Sequence, residues 1–207
     1  MPTQESFWDR QADSYAKKPV KDMAAYERKL EWTRAYLSSD DRILEAGCGT
    51  GSTALLLAKD VAYITAIDIS ERMIEIANDK QKKAGIDNIT FKKATLDTDT
   101  SEPAAFDAVL AFSFLHLLDD PGAAVRRIYE LVKPGGVFIS KTVCLRGKAG
   151  LWPVLIKGMQ IVGYAPNVTY LDAQRIETLI TEAGFEIEET ADFPGSLTSR
   201  FVIARKP

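Results

Sequence analysis

The chain has 207 residues, 46% of them apolar and 27% charged, which is enough material for one domain with a sizeable core. A formal net charge of −3 gives no electrostatic footprint for nucleic acid or for an acidic membrane surface. Two cysteines, Cys48 and Cys144, are too few for a disulfide framework and suit a reducing, cytoplasmic compartment, and a single histidine, His116, excludes a histidine-rich metal site. The start, Met-Pro-Thr-Gln-Glu-Ser, lacks the basic and apolar regions of a signal peptide. The most apolar later stretch, residues 149–166, is interrupted by Lys157, glycines and prolines and is too short to span a bilayer, so no stable membrane insertion is expected.

The first forty residues read as a helical cap, with helices over 5–15 and 21–37 separated by Lys18-Pro19. From Asp41 strands and helices alternate. A short buried strand covers 42–46, a glycine turn 47–51, a helix 52–59 and a second strand 62–67 ending at Asp68. Ser70 caps a helix that Gly85 stops. Strands follow at 89–94 and 106–112. Asp120-Pro121 opens a helix reaching Val132, Lys133-Pro-Gly-Gly136 ends it, and a fifth strand covers 137–143. The less regular stretch 144–168 resembles a lid. Asp172 caps a further helix with Leu171 and Ile176 placed as a hydrophobic staple, and strands at 185–190 and 200–204 end the chain.

Alternation of this kind predicts an α/β fold with a mostly parallel sheet and helices on both faces. About ten residues and no helix join the last two strands, too little for a parallel crossover, so that pair is expected to be antiparallel. The whole chain, 1–207, is expected to form a single domain.

The chemistry concentrates in Glu45-Ala-Gly47-Cys-Gly49-Thr-Gly51, between a strand and a helix. Glycines there let the backbone turn sharply and approach a ligand. Asp68, 21 positions after Gly47, stands where a carboxylate can accept hydrogen bonds from a ribose diol. A dinucleotide fingerprint needs a third glycine at position 52, which is serine, and no Gly-Lys-Ser/Thr follows as a P-loop requires. A loop without a pyrophosphate grip suits an adenosine cofactor that carries no phosphate.

These residues resemble the class I S-adenosylmethionine-dependent methyltransferases, and most closely the group containing the ubiquinone/menaquinone-biosynthesis methyltransferases. The resemblance runs in order through Ile43-Leu-Glu-Ala-Gly-Cys-Gly-Thr-Gly51, Ala66-Ile-Asp-Ile-Ser-Glu-Arg-Met73, Phe106-Asp-Ala-Val109 with Leu115-His116, Leu131-Val-Lys-Pro-Gly-Gly136 and Ala183-Gly-Phe185. The opening Phe7-Trp8-Asp9 and Tyr15 are similar to the family's N-terminal cap. It implies a Rossmann-like seven-stranded sheet with an antiparallel last strand, S-adenosyl-L-methionine as cofactor, and methyl transfer to a small organic acceptor. It further implies that Gly47, Gly49 and Gly51 line the methionine and ribose, that Glu45 lies near the methionine amino group, and that Asp68 binds the ribose. Ile69 and Met73 would lie against the adenine, Leu96 would offer its backbone to the adenine edge, and the backbone near Ala111 and Ser113 would face the methionine end, with Tyr15 also at the cofactor. The family often places an acidic residue where this chain has Thr95, which can still accept one hydrogen bond; Asp97 is two residues further on.

His116 follows the fourth strand at the sheet's carboxyl edge and is the candidate general base; the alternative is a packing role. Trp8, with Phe7 and Tyr15, and the apolar residues around Trp152 are the candidate walls of a lipophilic or aromatic acceptor pocket, or ordinary core. Cys48 reads as a small packing residue. The partner is expected to be a small molecule, with a monomer or homodimer both open. The competing readings are a cofactor-binding regulatory protein without turnover and, on the same glycine loop, a nicotinamide-dependent oxidoreductase.

Overall fold

The computed structural model describes residues 3–20, 22–145, 166–193 and 197–207. The expected lid centre, with Trp152, lies outside the described residues.

Seven strands form one sheet: β1 (Arg42–Ala46), β2 (Tyr63–Asp68), β3 (Ile89–Lys93), β4 (Phe106–Phe112), β5 (Val132–Val143), β6 (Glu186–Phe193) and β7 (Ser199–Arg205). Their order is β3-β2-β1-β4-β5-β7-β6. The pairs β1–β2, β1–β4, β2–β3 and β4–β5 are parallel, and β7 runs antiparallel to both neighbours. The expected antiparallel final pair is therefore present, and the last strand is inserted between β5 and β6.

Among the described residues six helices surround this sheet: α1 (Gln4–Lys17), α2 (Met23–Arg34), α3 (Ser52–Leu57), α4 (Glu71–Ala84), α5 (Pro121–Leu131) and α6 (Ala173–Glu182). Side chains alternate across each strand, so the sheet has two apolar faces. Ile43, Ile64, Ala108, Leu110 and Ile139 pack with α2, α3 and α4; Leu44, Ile67, Val109 and Phe138 pack with α5 and α6. Helix starts follow local chemistry. The side chains of Ser70, Asp120 and Asp172 accept from the N–H groups of Met73, Ala123 and Arg175, the orphan donors of α4, α5 and α6. Leu171 and Ile176 are both buried in one cluster, as the staple requires.

Several boundaries differ from the sequence expectation, among them the ends of α2 (Arg34, not 37) and β6 (Phe193, not 190). Helix α3 stops at Leu57 and continues as a 3-10 turn over Ala58–Asp60. More informative is Lys133-Pro-Gly-Gly136, which was expected to lie between helix and strand. Strand β5 begins at Val132, and the four residues are built into it as an irregularity: β4 advances from Phe106 to Ala108 while β5 advances from Val132 to Val137. Gly135 has φ +76°, and a Cβ at Gly136 would stand 2.6 Å from Asp107 O, so only glycine allows this approach. Lys133 closes it with a 2.6 Å ion pair to Asp107.

Among the described residues no helix is long and apolar enough to cross a membrane.

Candidate functional site

The carboxyl ends of β1, β2 and β4 converge with the N-termini of α3 and α4 and with the two cap helices. In open α/β sheets this edge is where ligands bind. The glycine turn is pinned from below: the N–H groups of Gly47 and Cys48 both donate to Ile67 O, at 2.9 and 3.0 Å. Gly47 and Gly51 are glycines for packing as well as conformation. Both have positive φ, and a Cβ would meet the Phe114 ring at 2.4 Å from Gly47, or the Phe91 ring at 2.6 Å from Gly51. Gly49 is different. The nearest atom to its Cβ position is Tyr15 Cε1 at 3.9 Å, so the side of the turn between Gly49 and Tyr15 is open.

Asp68 ends β2 beside that opening. Its Oδ2 accepts from Gly49 N–H at 2.8 Å and its Oδ1 from Ser70 N–H at 2.9 Å. Burial raises its pKa and these backbone donors oppose the rise. Each oxygen keeps a further acceptor position.

Glu45 is the penultimate residue of β1, on the α2–α3 face. It is 3% exposed, and Ala54 N–H in the first turn of α3 donates to its carboxylate. Its Oε2 is buried with no partner. Burial pushes the carboxyl well above the usual range, and the charge of Lys29 pulls the other way. Lys29 is the residue that sequence reasoning missed. It comes from α2, is 5% exposed, and donates from Nζ to Thr53 Oγ1 at 3.1 Å. Its ammonium also lies 4.4 Å from the Tyr26 ring centre and 4.2 Å from that of Phe112. Burial lowers its pKa, Glu45 opposes the shift and Lys141 adds to it. A signal was available: Tyr26, Leu30 and Thr33 make the inward stripe of α2, and a lysine at position 29 falls on it.

The cap closes over this edge. Tyr15 is half-exposed, yet packing around its phenol raises the pKa, with Tyr26, Asp68 and Glu45 adding to the rise. Trp8 meets Tyr15 edge-on at 6.5 Å and Phe7 at 5.1 Å. Helix α1 is clamped to the start of α4: Asp9 Oδ1 accepts from Ser70 Oγ at 2.6 Å and from Arg72 N–H at 3.2 Å. Its first residue, Gln4, donates to Leu117 O and Asn167 O, tying the cap to the loop after β4.

His116 sits in a 3-10 turn, Leu115–Leu117, and its Nδ1 is buried without a partner. Burial lowers its pKa to about 4, so the imidazole is neutral across the physiological range. The remaining expected contacts are placed as follows. Ile69 is half-buried and Met73 is 2% exposed. Leu96 and Ala111 are buried. Ser113 has φ +54°, and its N–H donates to Lys141 O at 2.7 Å. Thr95 spends its hydroxyl locally, in a turn with Thr98: Thr98 N–H donates to Thr95 Oγ1 at 3.3 Å, and Thr95 N–H donates to Thr98 Oγ1 at 2.9 Å. Cys48 is buried, and burial raises its thiol pKa well above the usual value, which suits a packing residue and not a nucleophile.

Comparison with known proteins bears on the same segment. Residues 43–136, the segment carrying the glycine loop, Asp68 and His116, match the methyltransferase domain model. That segment is similar to methyltransferase domains. A ubiquinone biosynthesis O-methyltransferase of Methylocella silvestris is 36% identical over 129 residues, covering 62% of this chain and 50% of that protein. Its namesake in Pseudomonas aeruginosa is 28% identical over 191 residues, covering 88% of this chain and 79% of that one. The chain spans about half to three-fifths of the length of the curated ubiquinone biosynthesis O-methyltransferases of Methylocella silvestris, Pseudomonas entomophila and Paracidovorax citrulli. Among solved structures, a Haemonchus contortus phosphoethanolamine N-methyltransferase complexed with phosphomonomethylethanolamine and S-adenosylhomocysteine superposes with TM-score 0.80 at 17% identity, over 100% of this chain and 61% of that one. The [4+2]-cyclase SpnF superposes with TM-score 0.79 at 21% identity, over 100% and 97%. These likenesses establish the Rossmann-like methyltransferase fold.

Proposed function

We propose that the protein binds S-adenosylmethionine and catalyses methyl transfer to a small, lipophilic or aromatic organic acceptor. The observation that carries this reading is the buried, unpartnered Glu45 Oε2 beside the open face of Gly49 and the carboxylate of Asp68. An orphaned buried acceptor costs free energy unless a ligand satisfies it. The cofactor offers a cationic amine for Glu45, a ribose diol for Asp68 and no phosphate, and the loop has no phosphate grip. When bound, the cofactor supplies an electrophilic methyl on a sulfonium.

The chain's own residues then bind, orient and exclude water. The turn is held rigid by Ile67 O and by the Phe114 and Phe91 rings, which fixes the cofactor site before the ligand arrives. Tyr15 and Trp8 cover it from the cap. Orientation of two reactants in this way contributes roughly 7–11 kcal/mol in well-ordered cases. Neutral His116 can take a proton from an acceptor hydroxyl or amine at its buried Nδ1; a pKa of about 4 makes it a weak base, so its contribution depends on the charge that develops on the acceptor. We place the acceptor beside Trp8 and His116, and read the two free cysteines as belonging to a reducing, cytoplasmic setting, with the chain acting as a monomer or homodimer on a small molecule and not on nucleic acid.

A methyl-labelled cofactor incubated with a panel of phenols, amines and carboxylic acids tests the reading; label recovered in one acceptor class, dependent on intact Asp68, is the expected result. A second reading follows from the SpnF likeness, since that protein of the same fold is a [4+2]-cyclase. Cofactor binding with no label transferred to any acceptor would favour a non-transferring role.

A further inference from the structure

Lysines that leave the solvent normally spend the ammonium on an acceptor, and this chain follows the rule with one exception. Lys29 donates to Thr53, Lys80 to Thr50 and Ser52, Lys133 to Asp107, and Lys206 to Tyr129 O and Val132 O. Lys141 of β5 is half-buried like most of these, yet among the described residues no acceptor bonds its ammonium and no carboxylate lies within ion-pair distance. Its Nζ lies over the Phe193 ring, 4.7 Å from the centre. The charge of Asp22 reaches it only from a distance, and Asp22 Oδ1 already accepts from Ala25 N–H at 2.9 Å. Lys141 stands at the carboxyl edge of the sheet, between Phe112 on β4 and Phe201 on β7. Strand alternation puts it on the face that Ile43, Leu110 and Ile139 define, which is also the face of Glu45. Trp32 of α2 meets Phe193 and Phe201 edge-on and completes an aromatic wall. Ser113 N–H donates to Lys141 O at 2.7 Å, so the turn leading to His116 starts beside the same residue.

We infer that Lys141 is the specificity residue of the acceptor site and takes the carboxylate of an aromatic acid, whose reacting end points back towards β1 and the cofactor. The inference rests on the methyl-transfer reading above and narrows its acceptor class. The energetics favour an anionic partner. A partly desolvated ammonium without an anion is costly, and a ring face returns only about 0.5–2 kcal/mol of that cost. A carboxylate arriving at Nζ makes a charge-assisted hydrogen bond in surroundings already partly dry. The spacing fits as well. β4 alone separates β5 from β1, and neighbouring strands lie about 4.8 Å apart, so Lys141 stands about 10 Å across the sheet from Glu45 and the glycine turn. That gap suits one aromatic ring with groups at opposite ends. The charge count selects the anion: Lys141 brings a single positive charge and Asp22 repels a second negative one, so a carboxylate fits better than a phosphate dianion. Lys29 shares the face, but Thr53 holds it and its charge is set against Glu45. Half-buried Phe112, with Phe193 and Phe201, supplies the apolar surface that an aromatic body needs.

Matched pairs of probes test it: benzoate against benzamide, 4-hydroxybenzoate against 4-hydroxybenzamide, and 4-aminobenzoate against 4-aminobenzamide. Each is titrated calorimetrically into the chain saturated with S-adenosylhomocysteine. In the wild type at least one acid should bind about tenfold or more tighter than its amide, the ratio that a hydrogen bond to a charged group supplies. Lys141→Met, or Lys141→Gln should the first variant fold poorly, should bring that acid to within about threefold of its amide, while the amide and S-adenosylhomocysteine stay within about threefold of their wild-type affinities. A wild type that prefers no acid over its amide overturns the inference. So does an acid preference that survives in the variant, which would assign it to another cation. Equal weakening of acid, amide and S-adenosylhomocysteine marks a lysine that only packs, and overturns it too. Methyl label transferred to neutral acceptors alone overturns the inference and leaves the methyl-transfer reading standing. A wild type that does not bind S-adenosylhomocysteine overturns the cofactor reading and this inference with it.

Discussion

At the scale of single residues, the three glycines of the turn separate into two kinds. Gly51→Ala drives a Cβ to 2.6 Å from the Phe91 ring and 2.9 Å from Ala77 Cβ, in a left-handed conformation, and should cost about 3 kcal/mol of stability. Gly49→Ala meets open space and should cost only about 1 kcal/mol, from its positive φ, but it narrows the face opposite Tyr15 and should weaken S-adenosylhomocysteine binding well beyond that. Urea unfolding and calorimetry on both variants check the contrast; equal stability losses would contradict it. His116 supplies a pH prediction. Its folded pKa of about 4 lies below the unfolded value of 6.5, so the unfolded chain binds the proton more readily between these values. Its contribution is present in full above pH 6.5 and is lost as pH falls through 4, amounting to about 3 kcal/mol in total. Urea unfolding at pH 7.5 and 4.5 should show the wild type losing about 2 kcal/mol more than His116→Gln; parallel losses would show that the imidazole is not held neutral. Glycine spacing and Asp68 were legible in the sequence because they lie within one strand-turn-helix unit. Lys29 was legible only as a lysine on the inward stripe of α2; its surroundings depend on β1 and α3 meeting α2, a contact between elements that no local pattern encodes.

At the scale of elements, helix starts were readable because caps are local: Ser70, Asp120 and Asp172 each bond an N–H three residues on. The start of β5 was not, since Lys133-Pro-Gly-Gly136 looks like a helix stop until Asp107 and the last strand are in place beside it. Arg205 and Lys206 bond this segment from the far end of the chain, Arg205 to Gly135 O and Lys206 N–H to Gly136 O. The cap helix offers a test of which contacts hold it. Asp9 accepts from Ser70 and from the first turn of α4, where the helix dipole favours a carboxylate, whereas Asp13 meets Arg72 on the exposed surface. Asp9→Ala should lower stability by about 1 kcal/mol, or Tm by about 2–4 °C, and weaken S-adenosylhomocysteine binding because Ser70 also donates to Asp68. Asp13→Ala should shift Tm by less than about 1–2 °C, as exposed ion pairs contribute little. Thermal unfolding of the two variants side by side decides it; an Asp13→Ala loss as large as that of Asp9→Ala would contradict the clamp.

At the scale of the whole molecule, the class of fold followed from rhythm. Strand–helix alternation predicts a parallel sheet, and the short joint between the last two strands predicts their antiparallel pairing; both are present. The strand order did not follow, because the short joint between β6 and β7 fixes that the two pair but not which of them lies beside β5. The fold also leaves the chemistry open, as a cyclase and a phosphoethanolamine methyltransferase of the same architecture illustrate. The proposed function rests on the β1–β2 edge. A crystal structure with S-adenosylhomocysteine is therefore the most direct measurement: the account predicts the ribose diol on the Asp68 carboxylate and the ligand's amino group on Glu45 Oε2. A ligand seated elsewhere, with Glu45 Oε2 still unpartnered and Asp68 bonded only to Gly49 and Ser70, would contradict it.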